Sequence, residues 1–169
     1  MPEHFFEPII EKLRQGDVFA PLPFSFLGDS AESPVAKLTT QRYSAILLNQ
    51  SCDVDKQYPK LVVLPVLPLG LRNSRDQKLI KTNRIFSALY LSAYRDVLPE
   101  SFVSFQEPMT VERSLLELAP RVASLSEEGR RALYVQYARW LTRWTLAEIS
   151  CPDCGTSFNP AKTLPVENT

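Results

Sequence analysis

The sharpest local motif in this 169-residue chain is Cys151-Pro152-Asp153-Cys154-Gly155. Thiolates at i and i+3 can chelate one ion, and the glycine permits the tight turn behind them, as in one half of a zinc knuckle. One zinc usually takes four ligands, and the chain carries no second CxxC. The missing pair could be Cys52 with His4, or the same motif in a second copy; otherwise the two thiols stay reduced and empty. A redox role fits less well, because such a motif normally opens a helix in a βαβ setting. Structural zinc at Cys151 and Cys154 is therefore the cofactor expectation.

A second group is cationic. Arg72, Arg75, Lys78, Lys81 and Arg84 recur every three residues within LRNSRDQKLIKTNR, which reads as an extended loop or an exposed hairpin. On a helix this row would rotate by about 60° per step, too much for one face. Such a row suits sequence-blind, salt-dependent contact with phosphates. Phe86 and Tyr90 follow it, and an exposed one could stack a base. The plainer alternative is a solvated loop, or one paired with the acidic stretch 96–128. A third group, Asn49-Gln50-Ser51-Cys52-Asp53-Val54-Asp55, packs polar side chains at the end of an apolar run. Cys52 as a nucleophile would need a base, and His4 is the only histidine. Asp53 and Asp55 make a weak cation site. Turn chemistry by Asn, Ser and Asp accounts for the same residues.

Composition bounds what these groups can belong to. Lys and Arg number 19 and Asp and Glu 19, so net charge argues neither for nucleic acid nor for an acidic tail. The charge is segregated, however: residues 70–95 hold six basic side chains against Asp76, and 96–128 hold seven acidic against two basic. A neutral total thus hides a dipolar surface. No apolar run approaches the roughly 20 residues that span a bilayer. The opening MPEHFFEPIIEKL lacks the charge order of a secretion leader, and three cysteines make an unlikely disulfide framework. A cytoplasmic protein is expected.

Fourteen prolines against five glycines predict short elements. Phe6, Ile9, Ile10 and Leu13 are spaced for a short N-terminal helix, with Gly16 as its stop. GDVFAPLPFSFL reads as two short apolar pieces, and 28–41 as a polar loop. Strands are expected at Tyr43–Leu48, Leu61–Val66, Phe86–Leu91 and Ser101–Phe105. Ser124 and Ser126 before Glu127 and Glu128 signal the start of a long helix over roughly 126–148. Leu133, Tyr137, Trp140, Leu141 and Trp144 form its apolar stripe, most simply core packing. The expectation is an α+β fold: a small β-barrel or curled antiparallel sheet, a short N-terminal helix and a long C-terminal helix. Residues 1–148 would form one domain, with 149–169 as a CxxC-bearing tail.

The order of these pieces resembles the PemK/MazF/Kid family of bacterial toxins. Gly16-Asp17-Val18, then Arg42-Tyr43-Ser44-Ala45-Ile46-Leu47-Leu48-Asn49, then Leu64-Pro65-Val66 are similar to its opening strands, FVSFQEPMTVERS to its late strand, and RVASLSEEGRRALYVQYARWL to its closing helix. The resemblance implies an SH3-like barrel in a toxin–antitoxin or defence locus. It also implies a homodimer that cuts single-stranded RNA by metal-independent transphosphorylation and is neutralised by an antitoxin. Arg42 matches the family's catalytic arginine and would stabilise a pentacovalent phosphorane. RNA would then lie across Arg42, Arg72, Arg75, Lys78, Lys81 and Arg84. The chain departs from the pattern in that Arg-Tyr stands for Arg-Pro, Leu67-Pro68-Leu69 carries no hydroxyl where a Ser or Thr is expected, and the N-terminal extension and the CxxC tail are extra. A module of the same fold that only binds protein partners is the competing expectation, and Arg42 would then be an ordinary exposed strand residue.

Overall fold

The computed structural model describes residues 5–30, 33–142, 149–150 and 157–158. Eight strands form one antiparallel sheet: β1 (Phe6–Glu7), β2 (Asp17–Ser30), β3 (Ser33–Leu47), β4 (Lys60–Pro68), β5 (Ala88–Leu91), β6 (Ser101–Ser104), β7 (Met109–Glu112) and β8 (Arg121–Leu125). The hydrogen-bonded path runs β1-β8-β2-β3-β4-β6-β5, and β7 pairs separately with β4. Helices α1 (Ser51–Asp55), α2 (Ser74–Lys81), α3 (Arg113–Leu118) and α4 (Glu127–Thr142) complete the fold, with a 3-10 turn at Leu69–Leu71. A separate small hairpin pairs β9 (Ile149–Ser150) with β10 (Ser157–Phe158). This is the expected α+β class: a curled antiparallel sheet with a long C-terminal helix. The sheet stays open, since β1 and β5 end the path. Its two ends meet instead through side chains, with the Phe6 and Tyr94 rings 4.6 Å apart.

Alternation along β4 sorts the core. Val62, Leu64 and Val66 face one side with Ile46, Leu89, Val103 and Phe105, and Ala132, Leu133 and Val135 of α4 close that side. Leu61 and Val63 face the other side, with Phe19, Phe24, Val54 of α1 and Leu116 of α3. Phe102 and Tyr90 continue that second side toward Ile80 of α2. Burial on both faces is why β4 is almost wholly apolar. Helix α4 starts at Ser126, whose hydroxyl accepts from the Gly129 amide at 3.2 Å. Its covered residues are Gly129, Ala132, Leu133, Val135 and Gln136. Tyr137 and Trp140 pack against the core as expected, but Leu141 is exposed. The segment containing Trp144 lies outside the described residues. Gln136, fully buried, donates to the carbonyls of Ile85 and Ala88 and so covers the free edge near β5.

Three local expectations are corrected. Among the described residues no α-helix forms over 6–13: Phe6 and Glu7 pair with Leu125 and Ser124 of β8 instead. Phe5 and Phe6 are buried while Ile9 and Ile10 are exposed, so the periodic stripe never has one covered face. The 28–41 segment is no simple loop, because β2 and β3 continue pairing from Leu22↔Tyr43 out to Ser30↔Ser33. This ribbon outruns its neighbours: β8 pairs only with Asp17–Phe19, and β4 only with Ser44–Leu47. Pro21 falls in the irregularity between Phe19 and Leu22, and Pro23 lies where β2 has left β8 and only its β3 side is paired, positions where a proline is tolerated. The third correction is α2, described below.

The Gly-Asp pair at 16–17 has a structural reason. Gly16 has φ +83, and a Cβ there would come within 2.8 Å of Leu125 Cβ. That geometry buries Asp17 completely. Its carboxylate accepts from the Arg14 amide (3.0 Å), the Ser124 hydroxyl (2.6 Å) and Arg121 Nη1 (3.2 Å). Arg14 also reaches Glu7 at 2.8 Å, and Glu7 pairs with Arg130 of α4. Two carboxylates and three arginines thereby tie β1, β2, β8 and α4 together.

Candidate nucleic-acid interface

The cationic row does form a helix in its middle. Asn73 caps α2: its Oδ1 accepts from the Asp76 amide at 2.9 Å, and its amide nitrogen donates to the Asp76 carboxylate at 3.0 Å. Asn83, at φ 52, ends it. The Asn83 amide returns to the Ile80 carbonyl and the Arg84 amide to the Leu79 carbonyl, which is a Schellman closure. Only Arg75, Lys78 and Lys81 lie inside the helix, and two steps of about 60° keep them within one broad sector. Ile80 anchors the opposite side against Ala88, Tyr90 and Phe102.

The five cations are not equivalent. Arg75, Lys78 and Arg84 are exposed, and no ion pair engages them among the described residues. Arg72 lies over the Phe102 ring, 5.2 Å from its centroid. Lys81 is committed to Glu100 at 2.8 Å, one link between the basic and acidic stretches, and it sits 5.8 Å from the centre of the Tyr90 ring. The Tyr90 hydroxyl also donates to Glu100. Hydrogen bonds from Lys81 and then Tyr90 hold the Glu100 carboxyl below the ordinary glutamate range. Burial, followed by Glu100 itself, pushes the Tyr90 phenol up. A carboxyl depressed on folding stabilises the native state above its unfolded pKa and loses that contribution as pH falls through the folded value. Acidification from pH 7 toward pH 3 should therefore destabilise wild type more than Glu100→Gln, read as the difference in Tm at each pH. Parallel curves would mean that the clasp is absent in solution.

Beside α2 lies a small pocket of about 160 Å³, lined among others by Arg72, Asp76, Ile85, Ser87, Phe102 and Gln106. Of the two aromatics that follow the row, Tyr90 is buried, whereas Phe86 is 49% exposed with Arg139 5.0 Å from its ring centre.

Arg42 is elsewhere. It is exposed on β3 opposite Pro23 and donates to the Pro21 carbonyl at 2.7 Å. It borders an open groove of about 490 Å³ whose other walls are Ala20, Pro21, Leu22, Leu115, Leu118, Ala119 and Pro120. None of those side chains is a hydroxyl, imidazole or carboxylate. The groove and the α2 pocket share no lining residue, so the structure does not bring Arg42 and the row into one site.

The 49–55 segment resolves into turn and helix chemistry. Asn49 Oδ1 accepts from the Val62 amide, Cys52 contacts Gln50 Oε1 at 3.6 Å, and the segment continues as α1. Asp53 and Asp55 pair with different lysines, Lys56 at 3.8 Å and Lys12 at 2.8 Å. Among the described residues no three His, Cys, Asp or Glu side chains converge as a metal site. Cys151 and Cys154, like His4, lie outside the described residues. No described helix is long and apolar enough to cross a membrane. No protein-family model matches the chain, and no curated protein matches it in sequence.

Proposed function

We propose that this chain is a PemK/MazF-like protein that binds single-stranded RNA on the α2 surface and does not cut it at Arg42. The observation that carries the binding is the exposed set Arg75, Lys78 and Arg84, unpaired among the described residues, with Arg72 beside it at the mouth of a pocket. The family reading rests on the sequence order Gly16-Asp17-Val18, Arg42 to Asn49 and Leu64-Pro65-Val66, with which a curled sheet and a closing helix are compatible. Against cleavage stands the chemistry around Arg42: transphosphorylation needs a group to take the 2′-hydroxyl proton, and the groove walls offer only apolar side chains and backbone. Apolar Leu67, Pro68 and Leu69 after Val66 agree with that.

Three phosphate contacts on a single strand give a log–log salt slope of about −2, or roughly a twentyfold loss of affinity between 50 and 200 mM salt. Fluorescence anisotropy with a short unstructured oligoribonucleotide in EDTA should show that slope. A variant combining Arg75→Ala, Lys78→Ala and Arg84→Ala should flatten it, and the RNA should stay intact. Salt-independent binding, or none, would overturn the proposal. Discrete fragments that vanish with Arg42→Ala would restore the catalytic alternative.

One observation favours a second reading, a protein-binding module of the same fold. Leu118 is 85% exposed on the wall of the Arg42 groove, next to the half-exposed Leu115. Solvated leucines at a groove are a feature of partner surfaces.

A further inference from the structure

The pocket beside α2 has a composition that bare phosphate binding does not call for. Its apolar walls come from Ile80, Ile85 and Phe102, while Ser87 and Gln106 bring groups that both donate and accept hydrogen bonds. Arg72 lines the same space and lies over Phe102. Pockets that enclose whole drug-sized ligands run to about 300–1,000 Å³, so one of about 160 Å³ suits a single flat ring system. In the chain, Phe86 stands between Ile85 and Ser87, two residues of the pocket, and its ring is half exposed. Arg84 precedes Ile85, and Arg75 precedes Asp76, another pocket residue, so the free cations flank the opening in sequence.

We infer that this pocket takes one unstacked nucleobase of the bound strand. The inference rests on the RNA-binding reading above and names what that surface recognises besides charge. Apolar walls and the Arg72 guanidinium supply the stacking surfaces, and Ser87 and Gln106 meet the polar edge of the base. Phe86 offers a platform to the adjacent base, and Arg75, Lys78 and Arg84 hold the phosphates. A base reaches such a pocket only when it is out of a helix, which restricts the site to single strands.

The test compares an oligoribonucleotide with an abasic ribose-phosphate strand of the same length, both by anisotropy. Wild type should bind the base-bearing strand about tenfold more tightly, in keeping with the worth of one stacked base. Ser87→Leu, which fills the pocket, should remove most of that preference while leaving the salt slope unchanged. Gln106→Ala and Phe86→Ala, both at exposed positions, should each reduce the preference, so the inference is still tested if Ser87→Leu does not fold. Equal binding of the two strands with an intact salt slope would overturn the pocket and leave the RNA-binding reading standing. Loss of all strand binding would remove both. Adenosine and uridine monophosphates are titrated alongside: free nucleotides as tight as the strand would overturn the strand as occupant in favour of a mononucleotide.

Discussion

Replacing Asp17 with alanine should lower stability by about 3–5 kcal/mol, the range for breaking a buried ion pair from one side. For a chain of this length that is a drop in Tm on the order of 10 °C. The carboxylate is completely buried and answers the Arg14 amide, the Ser124 hydroxyl and Arg121. Removing it strands those donors, and the Arg14 and Arg121 side chains are mostly covered as well. Urea unfolding checks the size of the effect. Coupling Asp17→Ala with Arg121→Met should recover part of the loss, since the second change removes the orphaned charge. Strict additivity of the two changes, or a loss below about 1 kcal/mol, would mean that the cluster is not closed in solution.

Phe105→Ala should cost a similar amount for a different reason. Its ring is completely buried just beyond β6 and meets Tyr137 at 5.5 Å and Trp140 at 6.2 Å on α4. Truncation removes apolar contact and leaves a cavity, typically about 3–5 kcal/mol for a core phenylalanine. Because the ring lies where α4 docks, hydrogen exchange of the α4 amides should accelerate more than that of β3. Uniform acceleration across the molecule would place the lost contact in global stability alone. Phe105→Leu, which keeps most of the volume, should lose far less.

Some of this fold was legible in the sequence. The run Leu61–Val66 announced a strand buried on both faces, and β4 is one. Ser126-Glu127-Glu128 announced the start of α4, because a cap and early acids satisfy free amides whatever the tertiary context. The N-terminal stripe misled because pairing of Phe6 with Leu125 depends on a strand far along the chain. Helix α2 was obscured by its cations. Spacing by three, taken across all five, argued against a single face, while the informative residues were Asn73 and Asn83 at the helix ends. Proline spacing concealed the long hairpin, since whether a missing amide matters depends on a neighbour that the sequence does not reveal.

The candidate site was legible by charge and not by geometry. The row was visible, but the diversion of Lys81 to Glu100 and the cover of Arg72 on Phe102 require contacts between distant elements. Arg42 was singled out by family resemblance, and its groove holds no partner for proton transfer. Asp17 entered through the same resemblance, as half of a Gly-Asp pair. Its three-dimensional setting gives that pair a structural reason.

The Asp17 cluster also bears on how the chain is made. Its carboxylate emerges from the ribosome long before Arg121, which follows 104 residues later. At about 5–20 residues per second, that interval is roughly 5–20 s. Throughout it β2 lacks β8, the strand that covers its inner edge, and α4 does not yet exist to close the core. The nascent chain therefore passes much of its synthesis with an open strand edge and uncovered phenylalanines. Completion of the sheet therefore waits until β8 and α4 have been made.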